Sequence, residues 1–213
     1  MDAGALLGTV ERIWRYPIMS TGGERLDTAA VDDRGLVGDR LYAVRDTEGR
    51  FGSGKNTRRF RRGYLGREDV EVAREGTVSH FDQLPLSLLT TATLDWVRAA
   101  VPGVPVDERR FRPNLLVRTP PGTRPFVEDD WFGGVARIGD DLRVRFERSS
   151  ERCVMTNEAQ RGLPHSPLVL RAIAREHGTR LDALATVARP GRIQVGDAVR
   201  MVGPPGPEGV AGD

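Results

Sequence analysis

The chain carries a single thiol, Cys153, in the run SSERCVMTN. A thiolate is a nucleophile and a ligand for soft metals, and an adjacent cation, here Arg152, favours that ionised form. Hydroxyls and an amide flank it at Ser149, Ser150, Thr156 and Asn157. The same residue also reads as a buried free cysteine packing as a small hydrophobe, and local context leaves the two readings open. One cysteine does exclude a disulfide framework and an all-thiolate metal cage.

Other reactive types are present but poorly arranged. GRFGSGKN, residues 49–56, nearly matches a phosphate-binding loop, with Gly49, Gly54 and Lys55 in place. Asn56 stands where a hydroxyl must hold magnesium, and the following TRRFRRGYLG lacks the apolar helix face such a loop feeds. A glycine-rich hairpin tip with one useful cation fits better. Arg58, Arg59, Arg61 and Arg62, with Phe60 and Tyr64 among them, have the look of a nucleic-acid patch; a loop of solvated arginines explains them better. His80, His165 and His177 show no zinc-ligand spacing. No nucleophile elbow supports a Ser-His-Asp triad.

Composition narrows the classes. The 213 residues hold 32 basic and 30 acidic side chains, a net charge of +2, too balanced for a generic nucleic-acid coat. Lys55 is the only lysine; the other 31 cations are arginine, the side chain that forks onto phosphate and carboxylate. No run approaches the 18 or so apolar residues of a membrane span, and the start lacks the basic n-region of a secretory signal. The expected location is the cytoplasm.

These residues must be held mainly by strands. LLGTVERIWRYPI alternates around Val10 and Ile13 before Pro17, and TAAVDDRGLVGDRLYAV is punctuated by Gly35 and Gly38. ARIGDDLRVRF and GRIQVGDAVRMV each read as strand, Gly-Asp turn, strand. Helical spacing is confined to the run from Pro85 through LSLLTTATLDWVRAAV and to Pro167 through LVLRAIAREHG, with Gly178 at its end. The expectation is a mainly β chain of barrel type with two or three α-helices.

Taken in order, IWRYPIMSTGGERL with GLVGDRLYAV, RFRPNLLV, SSERCVMTN and GRIQVGDAVRMV resemble the MOSC proteins. The similarity is strongest to members with an N-terminal MOSC β-barrel segment, including the amidoxime-reducing branch and small bacterial members. The resemblance divides the chain into an N-terminal barrel-type segment at 1–80, a MOSC domain at 81–202 and a tail at 203–213, whose Pro/Gly composition predicts disorder. It implies a bound molybdenum–pyranopterin cofactor with Cys153 as the protein's thiolate ligand. Arg40 in GDR and Arg112 in RFRPN take the phosphate-binding role. Ser20, Lys55, Thr90, Asn114, Arg152 and Thr156 complete the expected cofactor-binding set, with Asn114 orienting a pterin edge or a neighbouring loop. Met19 in YPIMS replaces a lysine usual in relatives, and TNEAQRG after the cysteine departs from the amidoxime-reducing pattern.

The resemblance implies an oxidoreductase that reduces N-hydroxylated compounds or transfers an oxygen atom. It would take a small-molecule substrate and electrons from a separate redox protein, since no haem, flavin or iron–sulfur signature is present. A sulfur carrier or sulfurtransferase using Cys153 is the alternative. A non-catalytic barrel binding RNA through Arg58–Arg62 is the third reading.

Overall fold

Strand β1 (Ala5–Arg15) sets the architecture. A register shift between Val10 and Arg12 leaves Val10 and Ile13 in the main apolar core, while Arg12 and Trp14 reach Glu108 on the other face. The computed structural model describes residues 4–19, 21–47, 49, 51–52, 70–73 and 83–203.

The remaining strands are β2 (Glu24–Leu26), β3 (Thr28–Asp32), β4 (Gly35–Leu36), β5 (Ala43–Asp46), β6 (Phe51–Gly52), β7 (Val70–Ala73), β8 (Leu86–Thr90), β9 (Leu115–Arg118), β10 (Val135–Ile138), β11 (Leu142–Glu151), β12 (Arg180–Arg189), β13 (Gly191–Gln194) and β14 (Ala198–Gly203). Seven of them close a barrel in the order β14, β10, β11, β12, β8, β9, β1 and back to β14, with β2 extending from β1. Closure removes the unpaired edges an open sheet would expose. Among the described strands of the barrel, β8 and β9 alone pair in parallel. Two small sheets, β13–β3–β4 and β6–β5–β7, lie beside the barrel.

Two helices, α1 (Thr91–Ala100) and α2 (Pro167–His177), build a second core against the barrel's outer face. Leu88, Leu115, Val117 and Ala183 belong to the first core, while their neighbours Leu89, Leu116 and Leu181 belong to the second. Strands β8, β9 and β12 are therefore covered on both sides. That explains one departure from the sequence reading. The helix expected from Pro85 begins only at Thr91, and Leu86–Thr90 is a fully buried strand. A strand buried on both faces loses alternation and reads as a continuous apolar run. The second helix ends as expected, with Gly178 left-handed at φ 56°.

The mainly β barrel with two α-helices matches the expected fold. The two Gly-Asp segments differ, however. β10 and β11 form a hairpin, whereas β13 pairs with β3 and β14 with β1 and β10. Strand β1 pairs with β9 and β14, so the N-terminal segment completes the barrel of the C-terminal one. Gly203, placed at the start of the tail, ends β14 opposite Val135; the rest of the tail, 204–213, lies outside the described residues.

Thr90 caps α1. Its hydroxyl oxygen accepts from the Thr93 backbone N–H at 3.1 Å and its own N–H donates to Glu128 at 2.8 Å. The Thr90→Val variant, nearly isosteric but without the oxygen, is expected to lose about 1–2 kcal/mol in denaturant unfolding, and Thr90→Ser about 0.5 or less. Equal stability of the two variants would contradict the capping role.

Candidate functional site

A short irregular segment between the outer helices and β9 organises the candidate site. Asp107 caps a 3₁₀ turn at Glu108–Arg110 by accepting from the Arg109 N–H at 2.8 Å. Arg112 turns the chain with φ 55°, and Asn114 leads into β9. Glu108 is buried and accepts from Arg12 at 2.5 Å and from the Trp14 indole at 3.2 Å. Arg109 pairs with Asp107 and donates to the Arg161 carbonyl at 3.0 Å. The Phe111 carbonyl accepts from Arg152 at 3.0 Å, and that of Arg112 from Arg40 at 3.3 Å.

Two arginines converge on one tyrosine. The Arg112 guanidinium lies 4.2 Å, and that of Arg40 5.1 Å, from the centroid of the buried Tyr16 ring. Facing cations on an aromatic ring is favourable through the ring quadrupole, and it brings two positive groups together. Asp39 moderates the charge: buried, it pairs with Arg40 and accepts from the Tyr16 N–H at 2.7 Å. Gly23 packs where any side chain would collide, since a Cβ there would come within 2.5 Å of the Tyr16 ring. Burial pushes the Tyr16 phenol above its ordinary range, with Arg112 and then Arg40 opposing.

Asn114 locks this corner. Its Oδ1 accepts from the Ser87 N–H at 3.1 Å, and its Nδ2 donates to Asp39 at 3.1 Å and to the Trp14 carbonyl at 3.4 Å. These bonds turn its amide inward, so it orients the neighbouring segments rather than presenting a free edge.

Cys153 follows β11 and precedes a 3₁₀ turn at Val154–Asn157, its carbonyl accepting from the Thr156 N–H at 3.0 Å. It is a free thiol and is partly exposed. Beside it, Arg152 donates to Asp182 and Ser150, each at 2.9 Å. Asp182 is the extra residue in a bulge of β12, between Leu181 opposite Ser150 and Ala183 opposite Ser149, with φ 55°. Three buried polar atoms here have no partner in the protein: Arg152 Nε, Thr156 Oγ1 and Asp182 Oδ2. Buried polar groups are normally satisfied. Arg152 and Thr156 lie within three residues of Cys153 in the chain, and a fourth such atom among the described residues is Glu108 Oε2; polar atoms left over in this way can take a polar ligand or ordered water.

The segment 108–114 thus contains Arg112 and Asn114, binds Arg40 and Arg152 through its carbonyls, and reaches Thr156, whose N–H bonds the Cys153 carbonyl, through Arg110. Thr90 stands apart as a helix cap. Ser20, Lys55, residues 50 and 53–56 of the near-match to a phosphate loop at 49–56, Arg58–Arg62 and His80 lie outside the described residues. Sequence reading missed Tyr16, Asp39, Arg110 and Asp182. Asp39 and Arg110 were adjacent to chosen residues in GDR and RFRPN; Asp182 had no signal, because the bulge that exposes it comes from strand pairing. Among the described residues, Ser149 donates to one Asp129 oxygen at 3.1 Å and His177 Nε2 lies 2.7 Å from the other, so Asp129 stands between this serine and the histidine.

Family models settle the lineage. The model described as the MOSC domain matches residues 75–200, and that of the MOSC N-terminal beta barrel domain matches 7–62. The chain belongs to the MOSC domain family. No curated protein matches it. Among solved structures, the YuaD protein from Bacillus subtilis superposes with a TM-score of 0.59 at 18% identity, covering 90% of this chain and 93% of that one. This likeness shows a shared fold. YiiM from Geobacillus stearothermophilus, at 19% identity, has a TM-score of 0.43 over 60% of this chain and 57% of that one.

The MOSC domain is associated with binding of the molybdenum cofactor, and the residues present fit such a group. Cys153 offers a thiolate for a soft metal, and Arg152 Nε and Thr156 Oγ1 are unspent polar atoms. Arg40 and Arg112 can receive an anion. Among the described residues no cluster of three or more His, Cys, Asp and Glu could hold a metal by itself. No described helix is long and apolar enough to cross a membrane.

Asp182 supplies a pH test of this arrangement. Burial pushes its carboxyl up to about 7; Arg152 opposes by charge and hydrogen bond, Glu128 adds to the rise, and Arg40 opposes. The folded chain then holds a proton that the unfolded chain releases near 3.8. Stability from this group is therefore lost as pH rises from about 4 to about 7. Asp182→Asn is expected to flatten that decline in denaturant midpoints measured at successive pH values. An unchanged slope would remove Asp182 as its source.

Proposed function

We propose that this MOSC protein is a molybdenum-cofactor oxidoreductase in which Cys153 is the protein's ligand to the metal. The observation that carries this reading is the partly exposed, solitary thiol next to the unpartnered Arg152 Nε and Thr156 Oγ1. When bound, the cofactor supplies the two-electron redox chemistry of molybdenum, and the protein supplies binding and orientation.

In this reading each residue has a limited task. The Cys153 thiolate anchors the metal, its backbone fixed by the Thr156 N–H. Arg152, held by Asp182 and Ser150, places one free donor beside the thiol, and Thr156 adds a hydroxyl. Arg40 and Arg112, paired on Tyr16, receive the cofactor's phosphate through charge-assisted hydrogen bonds. Asp39 and Asn114 keep these arginines in place without contacting the cofactor. The pterin form of the cofactor, a small N-hydroxylated or oxygen-donating substrate, a separate redox protein as electron donor and a cytoplasmic location all belong to this proposal. Met19 in place of the usual lysine leaves more of the anion binding to Arg40 and Arg112.

A second reading keeps the same centre. The partial exposure of Cys153 also suits a thiol that carries a persulfide, making the protein a sulfur carrier or sulfurtransferase. Stable metal separates the two. Protein from a cofactor-producing host should contain about one molybdenum and one pterin per chain, and Cys153→Ala should lose most of the metal while keeping its melting temperature. Native protein with neither molybdenum nor pterin would overturn the enzyme reading; full metal in Cys153→Ala would overturn the ligand assignment. Arg40→Met with Arg112→Met should lower pterin content at least tenfold, since each charge-assisted bond contributes about 1.5–3 kcal/mol.

A further inference from the structure

The loop that follows Cys153 contains no long helix or strand from Glu158 to Ser166, yet three of its carbonyls, at Thr156, Arg161 and Pro164, end on two consecutive arginines. Arg110 donates through NH1 to Thr156 at 3.4 Å and through NH2 to Pro164 at 2.7 Å, while its Nε donates to Pro105 in its own segment at 3.2 Å. Arg109 donates to Arg161 at 3.0 Å, and the Gln160 side chain returns a bond to the Arg109 carbonyl at 3.3 Å.

Arg110 is only 2% exposed, and among the described residues it forms no ion pair. A buried guanidinium without a carboxylate costs desolvation energy that neutral carbonyls offset only when they occupy its rigid fork. A lysine ammonium of similar charge has no such fork. The expensive arrangement is spent on the loop carrying the thiol, since Thr156 is both the acceptor of Arg110 and the donor to the Cys153 carbonyl. Residues that bind the loop's backbone carbonyls hold its path whatever side chains the loop carries.

We infer that Arg110, assisted by Arg109, is a positioning residue that fixes the orientation of Cys153 by clamping residues 156–164 through their carbonyls. The inference rests on the reading of Cys153 as the reactive centre, and its test does not require the cofactor.

The test is the rate of Cys153 alkylation by iodoacetamide in the full chain at one fixed pH, measured beside the melting temperature. Arg110→Lys keeps the charge and loses the fork; it should alkylate about tenfold faster than native protein, because the loop opens locally. Arg109→Lys, on a more exposed side chain, should show a smaller rise. Rates for Arg110→Lys within twofold of native, with or without a lower melting temperature, would overturn the inference. Should Arg110→Lys fail to fold, amide exchange in the native chain decides. Slow exchange at Thr156, Leu163 and Ser166, whose N–H groups bond within the loop, supports the clamp, and exchange as fast as in unstructured chain refutes it. Faster alkylation in a protein that holds no molybdenum in native or variant form would leave the clamp standing and remove only the cofactor reading.

Discussion

Residues 108–114 have almost no regular structure, and polar groups buried along such a path need partners, which all but Glu108 Oε2 among its buried side-chain atoms find. Those partners are what assemble the site. Glu108 binds the outer face of β1, Arg109 and Arg110 bind the loop after Cys153, the Phe111 and Arg112 carbonyls receive Arg152 and Arg40, and Asn114 ties Ser87, Trp14 and Asp39 together. Pieces of chain nearly a hundred residues apart, such as Trp14 and Glu108, meet at this segment. The barrel makes that possible by holding β1, β8 and β9 side by side.

Besides Phe126 and Thr179, three charged residues, Arg40, Arg112 and Asp182, have positive φ without being glycine, a conformation costing of order 1 kcal/mol or more each. Each is held there by contacts that need the strained geometry: the Tyr16 ring for the two arginines, and Arg152 for Asp182. Backbone strain at residues carrying the charges of the site is expected where a fold sustains a preorganised pocket at the expense of local stability.

How far the sequence disclosed this can be seen residue by residue. Alternation along β1 and the turn glycines made the barrel legible, because one face of each such strand is buried and the other is not. β8 was hidden by burial on both faces, and the different partners of β13 and β14 could not be read from two similar Gly-Asp strings. At the site, Cys153, Arg40, Arg112 and Arg152 stand out by type. Asn114 was legible as a site residue, while its inward-turned amide emerges only from folding. Arg110 resembles many other arginines in a chain with 31 of them; its role depends on carbonyls about fifty residues away. Asp182 depends on a slipped register between β11 and β12, which no local pattern announces.

Most of the arginine excess has no special place in this account, and several pairs such as Arg124 with Asp130 are exposed surface bridges worth little each. The solitary thiol is different, because the neighbouring Arg152 Nε and Thr156 Oγ1 are buried without a partner in the protein. X-ray absorption at the molybdenum edge on protein isolated from a cofactor-producing host examines this most directly. The account predicts a thiolate sulfur on the metal in addition to the two sulfurs of the pterin dithiolene. A spectrum of bound molybdenum with no third sulfur would contradict it.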